Sequence, residues 1–251
     1  MPVTIKSANE IALMREAGRL LEIVHGELAQ AIEPGVSTIV LDRLAEKLIR
    51  SFGCTPNFLN YNGFPATICA SINDEVVHGI PSKKKVLHEG DIISLDLGLI
   101  YQGYHSDAAR TYGVGEISKE ATQLIEVTKQ SFFEGIKYAK TGNHLFDIST
   151  AIGEYASKFG YGVVRDLVGH GIGTKLHEDP QIPNFTQKRR GLRLQAGMTL
   201  AIEPMINAGR SDVCWLDDDW TVVTDDGSLS AHYENTILIT DGEPEILTLT
   251  R

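Results

Sequence analysis

Asp91-Ile92-Ile93-Ser94-Leu95-Asp96-Leu97-Gly98 is followed a few residues later by Gly103-Tyr104-His105-Ser106-Asp107-Ala108-Ala109-Arg110-Thr111. The two stretches read as extended runs over 92–100 and 104–114, joined by a tight turn. Side chains alternate faces along a strand. With a Tyr101-Gln102 turn, Asp96 lies opposite Asp107. With a Gln102-Gly103 turn, the two are diagonal neighbours on the same face. Either register brings their Cβ atoms to about 5 to 8 Å. Asp96 sits inside an apolar run, and a buried, unpaired carboxylate is costly. A cation shared by the pair removes that cost, so this hairpin reads as half of a metal site.

Helical segments precede the hairpin. Ser7 and Glu10 form a capping-box pattern, and Ile11, Met14, Leu21, Val24 and Leu28 repeat at helical spacing over 8–31. Glu33-Pro34-Gly35 ends that run. A second helix is expected over 39–52, then strands over 66–72 and 76–80. The pattern restarts with helices over 118–138 and 145–159 and strands over 198–206, 220–224 and 228–240. Gly35 to Gly53 and Gly142 to Gly160 span the same distance, each ending in Phe-Gly. Helix, helix, strands, twice over, predicts one domain, 1–251, with related halves of about 1–115 and 116–251 around a single site.

The second half supplies further candidate ligands. Glu203 lies in Leu200-Ala201-Ile202-Glu203-Pro204, where the proline keeps it extended. Glu234 follows Ala231-His232-Tyr233. His170 stands between Gly169 and Gly171, where backbone and ligand can approach closely. His177 and His78 are further candidates. Carboxylates with imidazole suit Mn, Fe, Co or Zn rather than a soft thiolate site. No HExxH, P-loop or GxSxG pattern is present.

The whole-chain properties narrow the class. The 251 residues carry a formal net charge of −10, so free-standing nucleic-acid binding is not expected. No apolar run reaches the roughly 18 residues of a membrane span, and the first residues lack the layout of a secretory signal. The cysteines Cys54, Cys69 and Cys214 form no CxxC pair, which fits a reducing, cytoplasmic setting.

Asp96, Asp107, His170, Glu203 and Glu234, in this order and in these contexts, resemble the five metal ligands of the methionine aminopeptidases. That family shares a pitta-bread fold with aminopeptidase P, prolidase and creatinase. The resemblance implies an α+β fold of two pseudo-twofold halves, with antiparallel sheet flanked by helices. It implies two divalent metal ions, bridged by Asp107 and Glu234. Asp96 would complete one ion, and His170 with Glu203 the other. Glu203 would be the general base. His78 and His177 match the family's substrate-contacting histidines. Tyr61, Phe64, Cys69, Leu176 and Trp220 would surround a methionine side chain, although Phe64 and Leu176 read equally as core packing. The short stretch between His177 and Glu203 leaves little space for the helical insertion of type II enzymes. The lack of a further N-terminal domain or zinc-binding extension points the same way, to the compact bacterial type I form.

The implied activity is removal of the initiator methionine from nascent chains whose second residue is small, by a monomer. An X-Pro peptidase, or a non-catalytic peptide-binding relative of the same fold, is the alternative. The basic islands Lys83-Lys84-Lys85 and Lys188-Arg189-Arg190, with Arg193, read as solvated loops or as a ribosome contact.

Overall fold

A computed structural model describes residues 3–249. Met1, Pro2, Thr250 and Arg251 lie outside the described residues, and with them the start of the terminus read above and both ends of the 1–251 span. Helix α1 (Ala8–Gln30) opens with the expected box: Glu10 N–H donates to the Ser7 hydroxyl, and the Glu10 carboxylate accepts from Ser7 N–H at 2.7 Å. Its apolar stripe of Met14, Ala17, Leu21, Val24 and Leu28 is fully buried. Helices α2 (Thr38–Ser51), α3 (Lys119–Ile136) and α4 (Leu145–Ser157) follow where the periodicity placed them.

The two largest buried clusters among the described residues are each a helix pair laid on a sheet. Leu21, Leu28, Leu41 and Ile49 of α1 and α2 pack on Ile68, Leu95 and Leu97. Phe132, Ile148 and Ile152 of α3 and α4 pack on Leu200, Ile202 and Ile237. Each such aliphatic side chain contributes about 1.5–3 kcal/mol on burial.

The hairpin runs Ile92–Tyr101 and Tyr104–Gly113. Tyr101 pairs with Tyr104, so Gln102 and Gly103 form the turn. Their φ values of 48° and 85° are those of the turn that matches strand twist. Gly98 therefore faces Asp107, and Asp96 faces Ala109. Asp96 and Asp107 are diagonal neighbours on one face, the second of the two registers considered. On the other edge of Ile92–Tyr101, Cys69 pairs with Asp96.

In the second half, a five-stranded antiparallel sheet runs Glu245–Ile246, Asn235–Leu238, Thr199–Ile202, Gly169–Gly171, Glu178–Ile182. The expected strands over 198–206 and 228–240 are each broken. Thr199–Ile202 gives way at Glu203-Pro204 to Met205–Asn207, which joins another sheet by pairing with Ser230–His232. That partner strand stops at Tyr233-Glu234 before Asn235–Leu238 begins. Proline cannot donate to a ladder, which explains the first break. Both glutamates thus sit where the chain crosses between sheets. The strand expected over 76–80 ends at Val77, since His78 has φ 60°.

The glycines around His170 also make room for neighbouring main chain. A Cβ at Gly169 would lie 2.5 Å from the Ala201 carbonyl, and one at Gly171 would lie 2.1 Å from that of Asp179. Neighbouring main chain approaches closely at both glycines.

Candidate metal centre

The two halves meet along a short ladder, and the centre is built on it. Ala109 N–H donates to the Glu234 carbonyl at 3.3 Å, and Glu234 N–H to the Ala109 carbonyl at 2.9 Å. One step away, the Thr236 hydroxyl accepts from Asp107 N–H and donates to its carbonyl. One step the other way, the Thr111 hydroxyl does the same for His232. Asp107 and Glu234 are therefore fixed through their main chains, and both side chains are buried, with exposures of 3% and 2%.

Asp96, Asp107, His170, Glu203 and Glu234 all line one cavity of about 240 Å³. Ligand atoms of Asp107, His170 and Glu234 lie within 4.8 Å of one another. His170 Nε2 is 3.8 Å from Asp107 Oδ2 and 3.7 Å from Glu203 Oε1. These distances exceed hydrogen bonds and suit donors that meet through a shared cation. The His170 ring is set for this. Its Nδ1 lies 2.9 Å from the Gly171 carbonyl, which can only accept. Nδ1 therefore carries the proton and Nε2 presents its lone pair.

The electrostatics of the bare cluster are unfavourable. Burial pushes the Asp96 carboxyl up to about 7. Burial, then the charges of Asp96 and Glu203, drive Asp107 well above the carboxylate range. Burial, then the Asp96 charge, raises Glu203, and burial, then the charges of Asp107, Glu203 and Asp96, raises Glu234. Burial holds His170 down to about 3. Asp96 Oδ1 and Asp107 Oδ1 are sealed from solvent without hydrogen-bond partners. Such groups are expensive to leave alone. Orphaned carboxylate oxygens around a correctly presented imidazole fit hard or borderline divalent cations.

The same cavity holds the predicted substrate wall: Tyr61, Phe64, Cys69, His78, Leu176, His177 and Trp220. Phe64 meets Trp220 edge-on at 5.1 Å. Phe64 and Leu176 are buried in a cluster with Phe58 and Cys69 while lining the cavity, so pocket and core are one surface there. Tyr61 does more than pack: its hydroxyl lies 2.8 Å from His177 Nδ1. Burial raises the Cys69 thiol well above its usual range, and the Asp96 charge adds to this. It is a neutral apolar wall rather than a nucleophile.

Two neighbours escaped the sequence reading. Arg110 spends its donors on the Ala109 and Glu234 carbonyls, Asn235 Oδ1 and the Thr248 carbonyl, 3.4 Å from Glu22 and over the Tyr233 ring. His232 points at Glu203, with Nε2 3.7 Å from Oε2. Alternation from Glu234 would have put His232 on the same side, two residues away.

A model of metallopeptidase family M24 matches residues 12–241. A methionine aminopeptidase from Clostridium acetobutylicum is 58% identical over 98% of this chain and 99% of that one. The chain belongs to metallopeptidase family M24, in its methionine aminopeptidase branch. A solved methionine aminopeptidase from Thermotoga maritima superposes with a TM-score of 0.97 at 44% identity, over 99% of this chain and 100% of that one. An Xaa-Pro dipeptidase from Bacillus anthracis shares the fold at a TM-score of 0.80 and 26% identity, over 98% of this chain but 62% of that one. The architecture is thus the pitta-bread fold, α+β, and the methionine aminopeptidase branch is the better match in identity and extent. As a member of a metallopeptidase family the chain is a metal-dependent enzyme. No helix among the described residues is long and apolar enough to cross a membrane.

Proposed function

We propose that the enzyme removes the N-terminal initiator methionine from nascent chains whose second residue is small. The observation that carries this reading is the single cavity in which four carboxylates and His170 Nε2 face an apolar wall. Asp107 and Glu234 would bridge two divalent ions, Asp96 completing one and His170 with Glu203 the other. When bound, the ions lower the pKa of water and polarise the scissile carbonyl.

The remaining chemistry belongs to the side chains. The substrate's free amine is received beside Asp96, which limits attack to the first peptide bond. Glu203 takes the proton of the attacking water and returns it to the leaving amine. With the Tyr61 hydroxyl donating to His177 Nδ1, His177 Nε2 keeps its proton. It can then donate to the oxygen on which charge develops. His78, across the cavity near Trp220, holds the substrate amide. Phe64, Cys69, Leu176 and Trp220 take the thioether, which asks for apolar, polarisable contact and little hydrogen bonding. The histidines crowd the scissile bond, so only a small second residue fits beside them. The setting is the cytoplasm, where a monomer meets its substrates as they leave the ribosome; the cysteines are unpaired, in keeping with a reducing compartment.

Hydrolysis of Met-Ala-Ser tests this. Activity is expected to vanish with chelator and return with Mn(II) or Co(II), norleucine is expected to replace methionine at little loss, and Met-Lys peptides should be cut at least a hundredfold more slowly, as about 1 Å of misplacement implies. Faster cleavage of X-Pro dipeptides, or efficient cleavage of Met-Lys peptides, would overturn the initiator-methionine reading.

A further inference from the structure

We infer that His232 is a positioning residue for Glu203: it donates from Nε2 to Glu203 Oε2 and so holds Oε1 toward His170 and the metal centre. The inference rests on the reading of Glu203 as a member of that centre.

His232 is 1% exposed, and neither of its ring nitrogens has a hydrogen-bond partner among the described residues. A histidine kept for packing finds a partner when buried. His25 in α1 is the contrast, for its Nε2 lies 2.9 Å from the Ala108 carbonyl. The main chain of His232 is pinned, with its N–H and carbonyl both bonded to the Thr111 hydroxyl and its Cα opposite Met205. Only the ring is free to adjust, and closing 3.7 Å to hydrogen-bond length takes under about 1 Å.

Glu203 needs such a partner. Its carbonyl accepts from the Asn184 amide at 3.0 Å, and Pro204 follows it, so its main chain is set. Its carboxylate has no such anchor. Each oxygen faces a different imidazole, Oε1 toward His170 and Oε2 toward His232, both at 3.7 Å. With Oε2 fixed by an N–H, one oxygen is committed to the centre. A neutral imidazole has one N–H, and placing it on Nε2 supplies that donor. Ligating carboxylates are commonly oriented by such outer hydrogen bonds.

The test is calorimetric titration of metal-free enzyme with Mn(II) alone, for the parent, His232→Leu, His232→Gln and Glu203→Ala. His232→Leu is expected to weaken Mn(II) binding by roughly ten- to a hundredfold, with His232→Gln recovering to within about threefold because its amide can donate in place of the ring. With Met-Ala-Ser, kcat should fall and KM stay near its parent value. The His232→Leu effect should disappear in a Glu203→Ala background. Any fall in the thermal midpoint of metal-free His232→Leu should be recovered in His232→Gln, whose amide can still donate to Glu203 Oε2. Parent-like Mn(II) affinity in His232→Leu would overturn the inference. So would a lowered metal-free midpoint that His232→Gln does not rescue, which marks a packing role. If Glu203→Ala itself leaves Mn(II) affinity unchanged, it is the placing of Glu203 in the centre that fails, and the inference falls with it.

Discussion

Ala109 and Glu234 exchange both of their main-chain hydrogen bonds across the junction of the two halves. Asp107, two residues from Ala109, and Glu234 itself are therefore tied together through main chain, although they are far apart in sequence. Arg110 reinforces the junction from behind by donating to the Ala109 and Glu234 carbonyls together.

Arg110→Met should show how much that support is worth. It strands several buried acceptors at once and leaves Glu22 facing a thioether. A loss of about 3–5 kcal/mol is expected, read from urea unfolding of the metal-free protein. Glu22→Gln should cost less than about 1 kcal/mol, because the 3.4 Å contact is long and partly wet. A loss below about 1 kcal/mol in Arg110→Met would mean that the ladder holds the halves without it.

The metal-free protein should lose stability as pH rises through 7. Above the ordinary histidine value of about 6.5, histidines are neutral folded and unfolded alike, so the depressed values of His170 and His232 no longer contribute. The carboxyls remain. Asp96, raised to about 7, and Asp107, Glu203 and Glu234, raised well above normal, hold protons in the fold that the unfolded chain has released. A raised folded pKa gives stability at low pH that is lost on passing the folded value. The thermal midpoint should therefore fall from pH 7.5 to 8.5 without metal and hold or rise with saturating Mn(II). A rising midpoint without metal would contradict the electrostatic picture of the cluster.

His177→Ala should lower kcat by two orders of magnitude or so, with a smaller change in KM, because its donation strengthens as charge develops. Tyr61→Phe, which removes the hydroxyl 2.8 Å from Nδ1, should give a milder loss of the same kind. A change confined to KM would make His177 a binding residue instead.

The basic islands are smaller than they read in sequence. Lys85 is paired with Glu75 and Arg190 with Asp147, leaving Lys83, Lys84, Lys188, Arg189 and Arg193 as the exposed positions outside those ion pairs. If these loops form a ribosome contact rather than solvated surface, reversing these five charges should weaken ribosome co-sedimentation in a salt-dependent way and leave Met-Ala-Ser turnover unchanged. Co-sedimentation equal to the parent's would dismiss a ribosome contact through these loops.

The sequence made the repetitive features legible. The apolar stripe of α1, the Ser7 cap and the alternation around Asp96 each state a period, and a period needs no knowledge of the tertiary partner. Where the account depended on a partner it stopped short. The hairpin admitted two registers until the turn was seen at Gln102-Gly103. The strands carrying Glu203 and Glu234 looked continuous because composition does not show a chain changing sheets. The Gly169–Gly171 strand was hidden, since its glycines answer to main chain packed against them from Ala201 and Asp179. Arg110, Thr111, Thr236 and His232 carried no motif of their own. Their significance comes from what lies across the junction.

Metal content measured alongside turnover in Asp107→Ala tests the central claim most directly. The parent should bind close to two equivalents of Mn(II) and hydrolyse Met-Ala-Ser. The variant, with parent-like circular dichroism, should retain well under one equivalent at the same free metal concentration and lose at least about a thousandfold in kcat/KM, as removal of a shared ligand undermines both ions. Full metal occupancy with near-parent turnover in Asp107→Ala would contradict the account.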